Sequence, residues 1–486
     1  MYPYWQASVL RSVFGLLLAV SCAGAALGEP APGAGGSNSG TPESPSETVR
    51  DRRAAAYQRM LRLLEEDRPA DAVPAALEVV ELTRELEPGD EVALVVPLTN
   101  LATAQLRAGD LLAAEGNYTA AISLVEKHAG IVSPRLITPL TGLAQTYMRA
   151  GQPVQATESY ERALHVNHVN DGFYNLEQFP LRDGLTESYR GQNDLDKANF
   201  HQAAQLQIME RRVGKGSPEL LPALTKLAEW YEQTGQMYSA RLVRQDTARL
   251  IAADKGENDP ALVEPLIAIA TSYRLQALQA PTADPMQGPD TLLPSSSVML
   301  RKALSIVDQQ PEPDPLQRAR VLVELGDLYL VWGKSKSSAE AYADAWQTLS
   351  GNTDHAAQRD GYFASPVRLY WSPAPQLYPA SAARLPASIK LEPGYVVVKF
   401  AVDATGRVSS AEVLESDPVG LMDKSVLNAV RRSLYRPRHV DGAAAATEGL
   451  SLRHDYGYRM EAKAVQPPEP AESDKPLTQP DSDSRN

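Results

Sequence analysis

From about Val92 onward the sequence repeats itself with a step of 42 residues. Four tyrosines keep this step: Tyr147, Tyr189, Tyr231 and Tyr273. An apolar series keeps it too: Leu101, Leu143, Leu185, Leu227 and Ile269. A regular period of this kind is typical of repeat proteins, in which one unit cannot bury its apolar face alone and must stack on its neighbours. The middle of the chain is therefore predicted to fold as a row of similar units.

Each unit is predicted to be two helices joined by a tight turn. Residues that tolerate the left-handed conformation ending a helix recur in one phase: Gly109, Gly151, Asn193 and Gly235. Prolines, which need no amide partner in a first helical turn, open the units: Pro97, Pro139, Pro180, Pro222 and Pro265. The order within a unit is therefore helix, turn, helix.

The spacing of small and large residues resembles the tetratricopeptide repeat family. One unit carries this spacing at Ala144, Tyr147, Gly151, Ala156, Tyr160 and Ala163. The preceding unit carries it at Ala102, Gly109, Ala114, Tyr118 and Ala121. Two later units diverge, with Gln202 and Arg244 where an aromatic residue is expected, which predicts looser stacking there. Because the period exceeds the usual value of about 34 residues, the repeat is similar to the long subtype found in kinesin light chains.

The predicted fold is an all-α solenoid over residues 48–350, interrupted by an insertion at 277–297, with six or seven helical pairs. The first helices of such pairs line a concave face that binds proteins or peptides. The family register places these residues in the groove: Thr99, Thr103, Thr141, Gln145, Arg149, Glu187, Arg190, Glu229 and Glu232. For any single one of them, an ordinary solvated helix position is an equally good interpretation.

The N-terminus is predicted to be a targeting segment. Arg11 precedes the apolar run "SVFGLLLAVSCAGAALG", and this order is typical of a secretory signal peptide over residues 1–28. Residues 29–47 are rich in Gly, Pro and Ser and predict a disordered linker. "LAVSCAG" around Cys22 loosely resembles a bacterial lipobox, so lipidation and a retained anchor are the alternatives to cleavage.

A second domain is predicted after a linker at residues 351–371. In "YVVVKFAVDATGRV" the residues Val396, Val398, Phe400 and Val402 alternate with more polar positions, as in a half-buried strand. A second strand, "RVSSAEVLES", and a helix with Leu427, Val430 and Leu434 on one stripe follow, closed by Pro437. The last strand is "GLSLRHDYGYRM". This order predicts a small antiparallel α+β domain over residues 372–460, followed by a disordered acidic tail at 461–486.

This second domain resembles the C-terminal domain of the TonB energy-transducer family. The matching features are Tyr378-Pro379, Gly394, Ser416, Gly442 and the helix that ends in Tyr435-Arg436-Pro437. The resemblance implies a periplasmic domain whose last strand pairs with an extended segment of an outer-membrane protein. It assigns the pairing edge to Leu450, Leu452, His454, Tyr456 and Tyr458.

Catalysis and nucleic-acid binding are not predicted. The net charge is −13, without a basic block, and no catalytic or phosphate-binding motif stands out. His165, His168 and Asp171 in "HVNHVNDG" are better explained as ordinary loop residues than as metal ligands. No cofactor and no metal are expected.

The sequence thus predicts a periplasmic scaffold in a Gram-negative bacterium that binds two protein partners, one through the groove and one through the strand edge. The alternative is an atypical energy-transducer component of outer-membrane transport. The N-terminal run lacks the proton-coupling His of the transducers, and helices replace their proline-rich spacer. A third interpretation is that the strand domain only caps the solenoid.

Overall fold

The computed structural model describes residues 45–279, 289–371 and 391–458. The chain divides into two compact units, residues 1–313 and 314–486, called here the N-terminal and the C-terminal unit. The predicted signal peptide with Cys22, most of the predicted linker and the predicted acidic tail lie outside the described residues. Within the described ranges, no helix combines the length and the apolar character needed to span a bilayer.

The N-terminal unit consists of helical pairs. The helices are α1 (Pro45–Glu65), α2 (Pro69–Leu86), α3 (Val95–Ala108), α4 (Leu111–Ala129), α5 (Ile137–Arg149), α6 (Pro153–Asp171), α7 (Phe179–Gly191), α8 (Leu195–Val213), α9 (Leu221–Gln233), α10 (Met237–Lys255), α11 (Val263–Gln279) and α12 (Pro289–Asp308). The two helices of each pair contact one another, and each pair contacts the next. Short 3-10 turns, such as Pro134–Leu136 and Pro218–Leu220, introduce several of the first helices.

The turns between paired helices have the left-handed conformation that the sequence predicts. Gly109, Gly151, Asn193 and Gly235 all have positive φ angles. Asp67, another 42 residues upstream of Gly109, also has a positive φ, of 55°. The pair α1 and α2 is therefore the first unit of the repeat, although the 42-residue pattern is clear only from about Val92 onward. Aspartates cap two of the second helices, α4 and α8, because a side-chain oxygen satisfies an exposed amide, as Asp110 Oδ1 does for Ala113 N at 3.2 Å.

Neighbouring pairs pack through tyrosine rings and small residues. The ring of Tyr118 on α4 lies so close to Gly142 on α5 that a Cβ there would be 2.2 Å from it. The ring of Tyr160 meets Gly184 in the same way, 42 residues on. The alanines of the family spacing are fully buried between the helices: Ala102, Ala114, Ala144, Ala156 and Ala163. This explains why glycine and alanine recur at fixed positions.

The C-terminal unit combines a helical pair, a short third helix and a strand domain. Its elements are α13 (Pro315–Val331), α14 (Ser335–Ser350), α15 (Ala356–Phe363), β1 (Val367–Tyr370), β2 (Glu392–Val402), β3 (Val408–Asp417), α16 (Asp423–Arg431), β4 (Leu434–Arg436), β5 (Arg438–Val440), β6 (Ala443–Ala445) and β7 (Thr447–Tyr458). The main antiparallel sheet has the order β3-β2-β7. The predicted order strand, strand, helix, strand is confirmed by β2, β3, α16 and β7.

The core of the strand domain follows the predicted alternation in β2. Val396, Val398, Phe400 and Val402 are all buried and pack with Val426 and Val430 of α16. The intervening hairpin is held by Asp403, whose Oδ1 accepts hydrogen bonds from the backbone of Thr405 at 2.8 Å and of Arg407 at 3.0 Å. The alternation and the turn chemistry therefore determine this half of the domain together.

Four features differ from the sequence prediction. The helix expected to include Leu434 ends at Arg431, and Leu434 belongs to β4, which pairs with β1. The expected linker at 351–371 contains α15 and β1, and the expected insertion at 277–297 is helical at both ends. Residues 314–350, which the repeat pattern assigns to the solenoid, share a core with the strand domain.

Candidate binding surfaces

Strand β7 lies at an edge of the main sheet. It pairs with β2 from Glu392↔Tyr458 to Phe400↔Leu450, and no strand of the described residues pairs along its opposite side. An edge of this kind is a template for pairing with another extended chain. All five residues of the predicted strand edge therefore lie on one edge strand.

One face of β7 carries a row of aromatic rings. Trp371 and His454 have ring centroids 6.4 Å apart, as do His454 and Tyr456, and Tyr456 and Tyr458 are 6.3 Å apart. We call these four residues the aromatic row. Leu450 and Leu452, on the same face, pack against the core. The alternate side chains of an added strand would meet this apolar and aromatic surface.

The opposite face of β7 is occupied by the sheet's own polar contacts. The guanidinium of Arg453 lies 3.8 Å from the centroid of the Tyr395 ring, and its Nε donates to Asp455 at 2.8 Å. The Tyr395 hydroxyl donates to Glu415 at 2.5 Å, which raises the pKa of that hydroxyl. These charged side chains are exposed, whereas the aromatic row is half-buried, and Trp371 and Tyr456 pack against the core.

The strand domain is joined to helix α13 by a buried ion pair. Arg436 Nε and Nη2 donate to the two carboxylate oxygens of Asp327 at 2.8 and 2.7 Å. The two side chains are only 8% and 3% exposed. Burial opposes the charge of Arg436, but Asp327 outweighs burial and raises the pKa of the guanidinium. The Tyr342 hydroxyl also donates to Asp327, at 2.8 Å.

Aromatic rings surround this ion pair. The ring of His439 lies 4.7 Å from that of Phe363 and 5.5 Å from that of Tyr342, and Trp346 stacks nearby. Tyr342 belongs to the helical pair and His439 to the strand domain, so the two parts share one core. Sequence reasoning noted Arg436 only as part of a family motif and assigned it no partner.

The predicted groove residues of α3 and α5 are mostly engaged inside the solenoid. The hydroxyls of Thr99, Thr103 and Thr141 each donate to a carbonyl one turn earlier, at 2.7 to 2.9 Å. Thr99 is only 7% exposed, so burial excludes it from direct contact with a partner. Gln145 bonds to the buried hydroxyl of Tyr160, and Arg149 Nη1 donates to the Leu106 carbonyl at 2.6 Å.

The predicted groove residues of α7 and α9 are more accessible. Glu187 and Arg190 are exposed and pair with one another, with Arg190 Nε 2.9 Å from Glu187. Glu232 pairs with Arg244 at 2.9 Å, and Glu229 is half-buried. Arg244 and Gln202 make polar contacts where an aromatic residue was expected, since Gln202 donates to Asp183 at 3.3 Å, and the looser stacking stays a prediction.

The three residues considered as metal ligands lie in helix α6 rather than in a loop. His168 Nε2 is 3.1 Å from Gln178 Oε1, and Asp171 accepts a hydrogen bond from Asn167 at 2.9 Å. Among the residues that the structure describes, no His, Cys, Asp and Glu side chains cluster as they would around a metal ion.

The second domain matches a known protein family. Residues 374–456 match the family described as the Gram-negative bacterial TonB protein C-terminal. This range includes β2, β3, α16 and most of β7. The chain thus combines helical pairs that repeat every 42 residues with a C-terminal region that matches this family.

Solved structures resemble the helical part. TPR-like repeats from Podosopora anserina, described as those of a kinesin light chain, are 18% identical, covering 44% of this chain and 99% of that chain, with a TM-score of 0.37. The C-terminal part of a TPR repeat-containing protein from Cytophaga hutchinsonii is 10% identical over 62% and 98%, with a TM-score of 0.39. A tetratricopeptide repeat protein from Parabacteroides merdae is 17% identical over 64% and 98%, with a TM-score of 0.31. No curated protein sequence matches significantly.

Proposed function

We propose that this protein is a periplasmic scaffold that brings two protein partners together. The helical pairs hold one partner, and strand β7 captures an extended segment of the other by strand addition. The observation that carries the proposal is that β7 is an edge strand whose aromatic row lies beside the edge. The helical pairs and the TonB C-terminal domain both belong to classes that act through protein contacts.

The buried Asp327–Arg436 pair supports a binding role in which the strand domain is held firmly. A strand gains affinity from a pre-organised edge because little conformational freedom remains to be lost on binding. The domain is fixed to helix α13 by two charge-assisted hydrogen bonds, which are stronger than neutral ones. The edge is therefore presented on a rigid body rather than on a flexible tether.

Site-specific photo-cross-linking in the native host tests the strand edge. A benzoylphenylalanine at Ser451, an exposed position on β7, is expected to capture a partner protein. The matched control is the same group at Val419, which is 86% exposed but lies in the loop after β3. Equal capture at both positions, or none at Ser451, would contradict the strand-addition role.

Proline variants then test whether the backbone takes part. Consecutive amides of a strand point to opposite sides, so one of Ser451→Pro and Leu452→Pro removes a donor facing β2 and the other removes a donor facing outward. We expect the variant that keeps its near-ultraviolet circular dichroism to lose the cross-linked partner. Retained capture by a folded proline variant would show that side chains alone bind.

A second candidate role is that the strand domain caps the helical repeat. The shared core of Tyr342, Phe363 and His439 favours it, because terminal repeats need a cover for their apolar face. In that case a protein that ends after α14 and lacks the strand domain would have a lower melting temperature. Cross-linking at Ser451 would then recover no partner. Sequencing the mature N-terminus addresses the transducer alternative, which requires a retained membrane anchor.

A further inference from the structure

The junction between α8 and α9 lacks the tyrosine contact that closes the two junctions before it. Between α4 and α5, and again between α6 and α7, a tyrosine ring lies directly on a helical glycine, the second case being Tyr160 on Gly184. Another 42 residues on, the equivalent positions hold Gln202 and Lys226. An aromatic ring packed on a glycine is thus replaced by two flexible polar side chains.

Two more positions of the same layer also change character. Gln205 stands where the second helices of the preceding pairs have the buried alanines Ala121 and Ala163. Gln202 and Gln205 are nonetheless buried, with only 8% and 3% exposed. Asp183 stands where other first helices have a threonine in the same phase: Thr99, Thr141 and Thr225. The pair α7 and α8 therefore presents a polar layer to α9.

The polar layer is bridged to α9 by one ion pair that water can reach. Lys226 Nζ lies 2.7 Å from both carboxylate oxygens of Asp183 and donates to Gln205 Oε1 at 3.0 Å. The same carboxylate accepts from Gln205 Nε2 at 2.7 Å. The side chains of Lys226 and Asp183 are 45% and 34% exposed, so water competes for both ends of the pair. Ion pairs with this exposure contribute little to stability.

Apolar contacts across this junction lie before and after Lys226 along α9. Leu206 of α8 packs against the cluster of Leu220 that includes the start of α9. Leu227 and Trp230 belong to the core of the earlier pairs. The backbones of α8 and α9 are nevertheless in less extensive contact than those of α4 and α5, α6 and α7, or α10 and α11. The junction keeps the pairs in sequence without a ring that fixes their angle.

The two kinds of junction differ in how they respond to a change of angle. A close-packed ring loses many contacts at once when it is displaced. Long polar side chains can exchange their hydrogen bonds with water over a range of geometries. Because each pair of a repeat array contacts only its neighbours, bending collects at the junction that resists it least.

We propose that the junction between α8 and α9 is a joint of the helical array, at which the pair α9 and α10 changes its angle relative to the pair α7 and α8. The junctions closed by Tyr118 and Tyr160 stay fixed. A change of angle alters the curvature of the face that the first helices share. Partners of different size can then be held, a use that rests on the proposed role of the helical pairs in binding a protein.

Distances between two spin labels in the full-length protein test the joint. The labels are attached to introduced cysteines in a Cys22→Ser background, because Cys22 is the only cysteine. Four exposed positions on successive second helices, 42 residues apart, give equivalent label sites: Ser123, His165, Gln207 and Arg249. Labels at Ser123 and Gln207 span two tyrosine-closed junctions. Labels at His165 and Arg249 span one such junction and the joint.

Double electron–electron resonance measures the distance distribution of each label pair. We expect the distribution for His165 and Arg249 to be about twice as wide as that for Ser123 and Gln207, because only the former includes a junction without a ring contact. Both label pairs leave the core of the protein unchanged, so the comparison does not depend on a redesigned junction. Equal widths would overturn the proposal.

A variant that rebuilds the tyrosine contact locates the motion. It carries the residue types found 42 positions earlier: Asp183→Thr, Gln202→Tyr, Gln205→Ala and Lys226→Gly. The distribution for His165 and Arg249 should then narrow to that of the other label pair. A distribution that stays wide in the folded variant would contradict the assignment of the joint to this layer. If the variant does not fold, Tyr160→Gln is the reverse change and should widen the distribution for Ser123 and Gln207, whereas an unchanged width would contradict the role of the ring.

These outcomes are distinct from a failure of the proposed scaffold role. The label distances need no partner protein, so they report on the joint alone. A wide distribution together with no protein captured at Ser451 would contradict the scaffold and leave the joint standing. Capture at Ser451 with equally narrow distributions would do the opposite.

Discussion

Arg436 and Asp327 are 109 positions apart in the chain, yet they form a buried ion pair through two hydrogen bonds of 2.7 and 2.8 Å. One belongs to the Tyr-Arg-Pro segment after α16 and the other to a helix of the repeat. This contact makes the last helical pair and the strand domain parts of one core, together with Tyr342 and His439.

Breaking this pair on one side is expected to be costly. Arg436→Met leaves Asp327 as an uncompensated buried charge, so we expect the C-terminal unit to lose about 3–5 kcal/mol of unfolding free energy. The double variant Arg436→Met with Asp327→Leu should recover most of that loss, because both charges are then absent. Urea denaturation, followed by circular dichroism, measures the unfolding free energy of the single and the double variant. Equal losses of unfolding free energy in the single and the double variant would show that the broken ion pair is not the cause of the loss.

A side chain at Gly142 is expected to disturb the stacking of neighbouring pairs. The added Cβ of Gly142→Ala would lie 2.2 Å from the Tyr118 ring, and overpacking of this kind costs about 1–3 kcal/mol. Gly116→Ala on α4 is the control, since nothing lies within 4 Å of its Cβ position. Gly116→Ala should raise the free energy of unfolding by about 0.5–1 kcal/mol, because alanine has a better helix propensity than glycine. Thermal unfolding compares the melting temperatures of the two variants. Melting temperatures that change in the same direction in both would contradict the close contact with Tyr118.

Gly406 in the β2–β3 hairpin is expected to be more sensitive than Gly449. Gly406 has a φ of +80°, and a Cβ on it would lie 2.0 Å from the Tyr435 carbonyl oxygen. We expect Gly406→Ala to cost more than about 3 kcal/mol from strain and overlap together. Gly449 has a φ of +72° but open space around it, so Gly449→Ala should cost only about 1–2 kcal/mol. Comparable denaturation midpoints for the two variants would contradict this ranking.

Stability is expected to fall as the pH is lowered from about 6.5 to about 4. His201 takes up a proton near pH 6.5 when unfolded, but burial lowers its pKa in the folded protein to about 4. The unfolded chain therefore binds more protons between these values, and the unfolding free energy drops by up to about 3 kcal/mol. The pKa of the buried His439 is also lowered, which adds a loss of the same sign in the C-terminal unit.

His201→Asn isolates the first contribution, because the corresponding position in α4 is Asn117. Urea midpoints at pH 7 and pH 4.5 should differ less for this variant than for the wild type. His165→Asn, at an exposed position of α6, is the control and should keep the wild-type difference. If the His201 variant kept the wild-type pH dependence, the loss of stability at low pH would come from other titrating side chains.

The parts of the fold that depend on local pattern were predictable from the sequence. The period gave the helical pairs, and the alternation around Val396 and Val398 predicted β2 and its buried face. Leu434 was assigned to the wrong element because its apolar spacing continues that of α16, whereas β4 is formed by pairing with β1. Such pairing depends on residues more than sixty positions away and leaves no local trace.

The candidate sites likewise divide into features that the sequence predicted and features that depend on residues distant in the chain. Five residues of β7 were predicted as an edge by family resemblance, whereas Trp371 lies in a segment expected to be a linker. The Asp327–Arg436 pair could not be inferred, because nothing local to either residue names the other. Asp183 and Lys226 could have been found, since they break the threonine and glycine series of the 42-residue period.

The position of Arg436 also has a mechanical consequence. A strand paired along β7 and pulled along its axis would load the sheet in shear, so several backbone hydrogen bonds would resist together. That load would reach helix α13 through the guanidinium of Arg436 as well as through the covalent chain. A strand domain attached in this way would pass tension to helix α13 through the two hydrogen bonds that join Arg436 to Asp327.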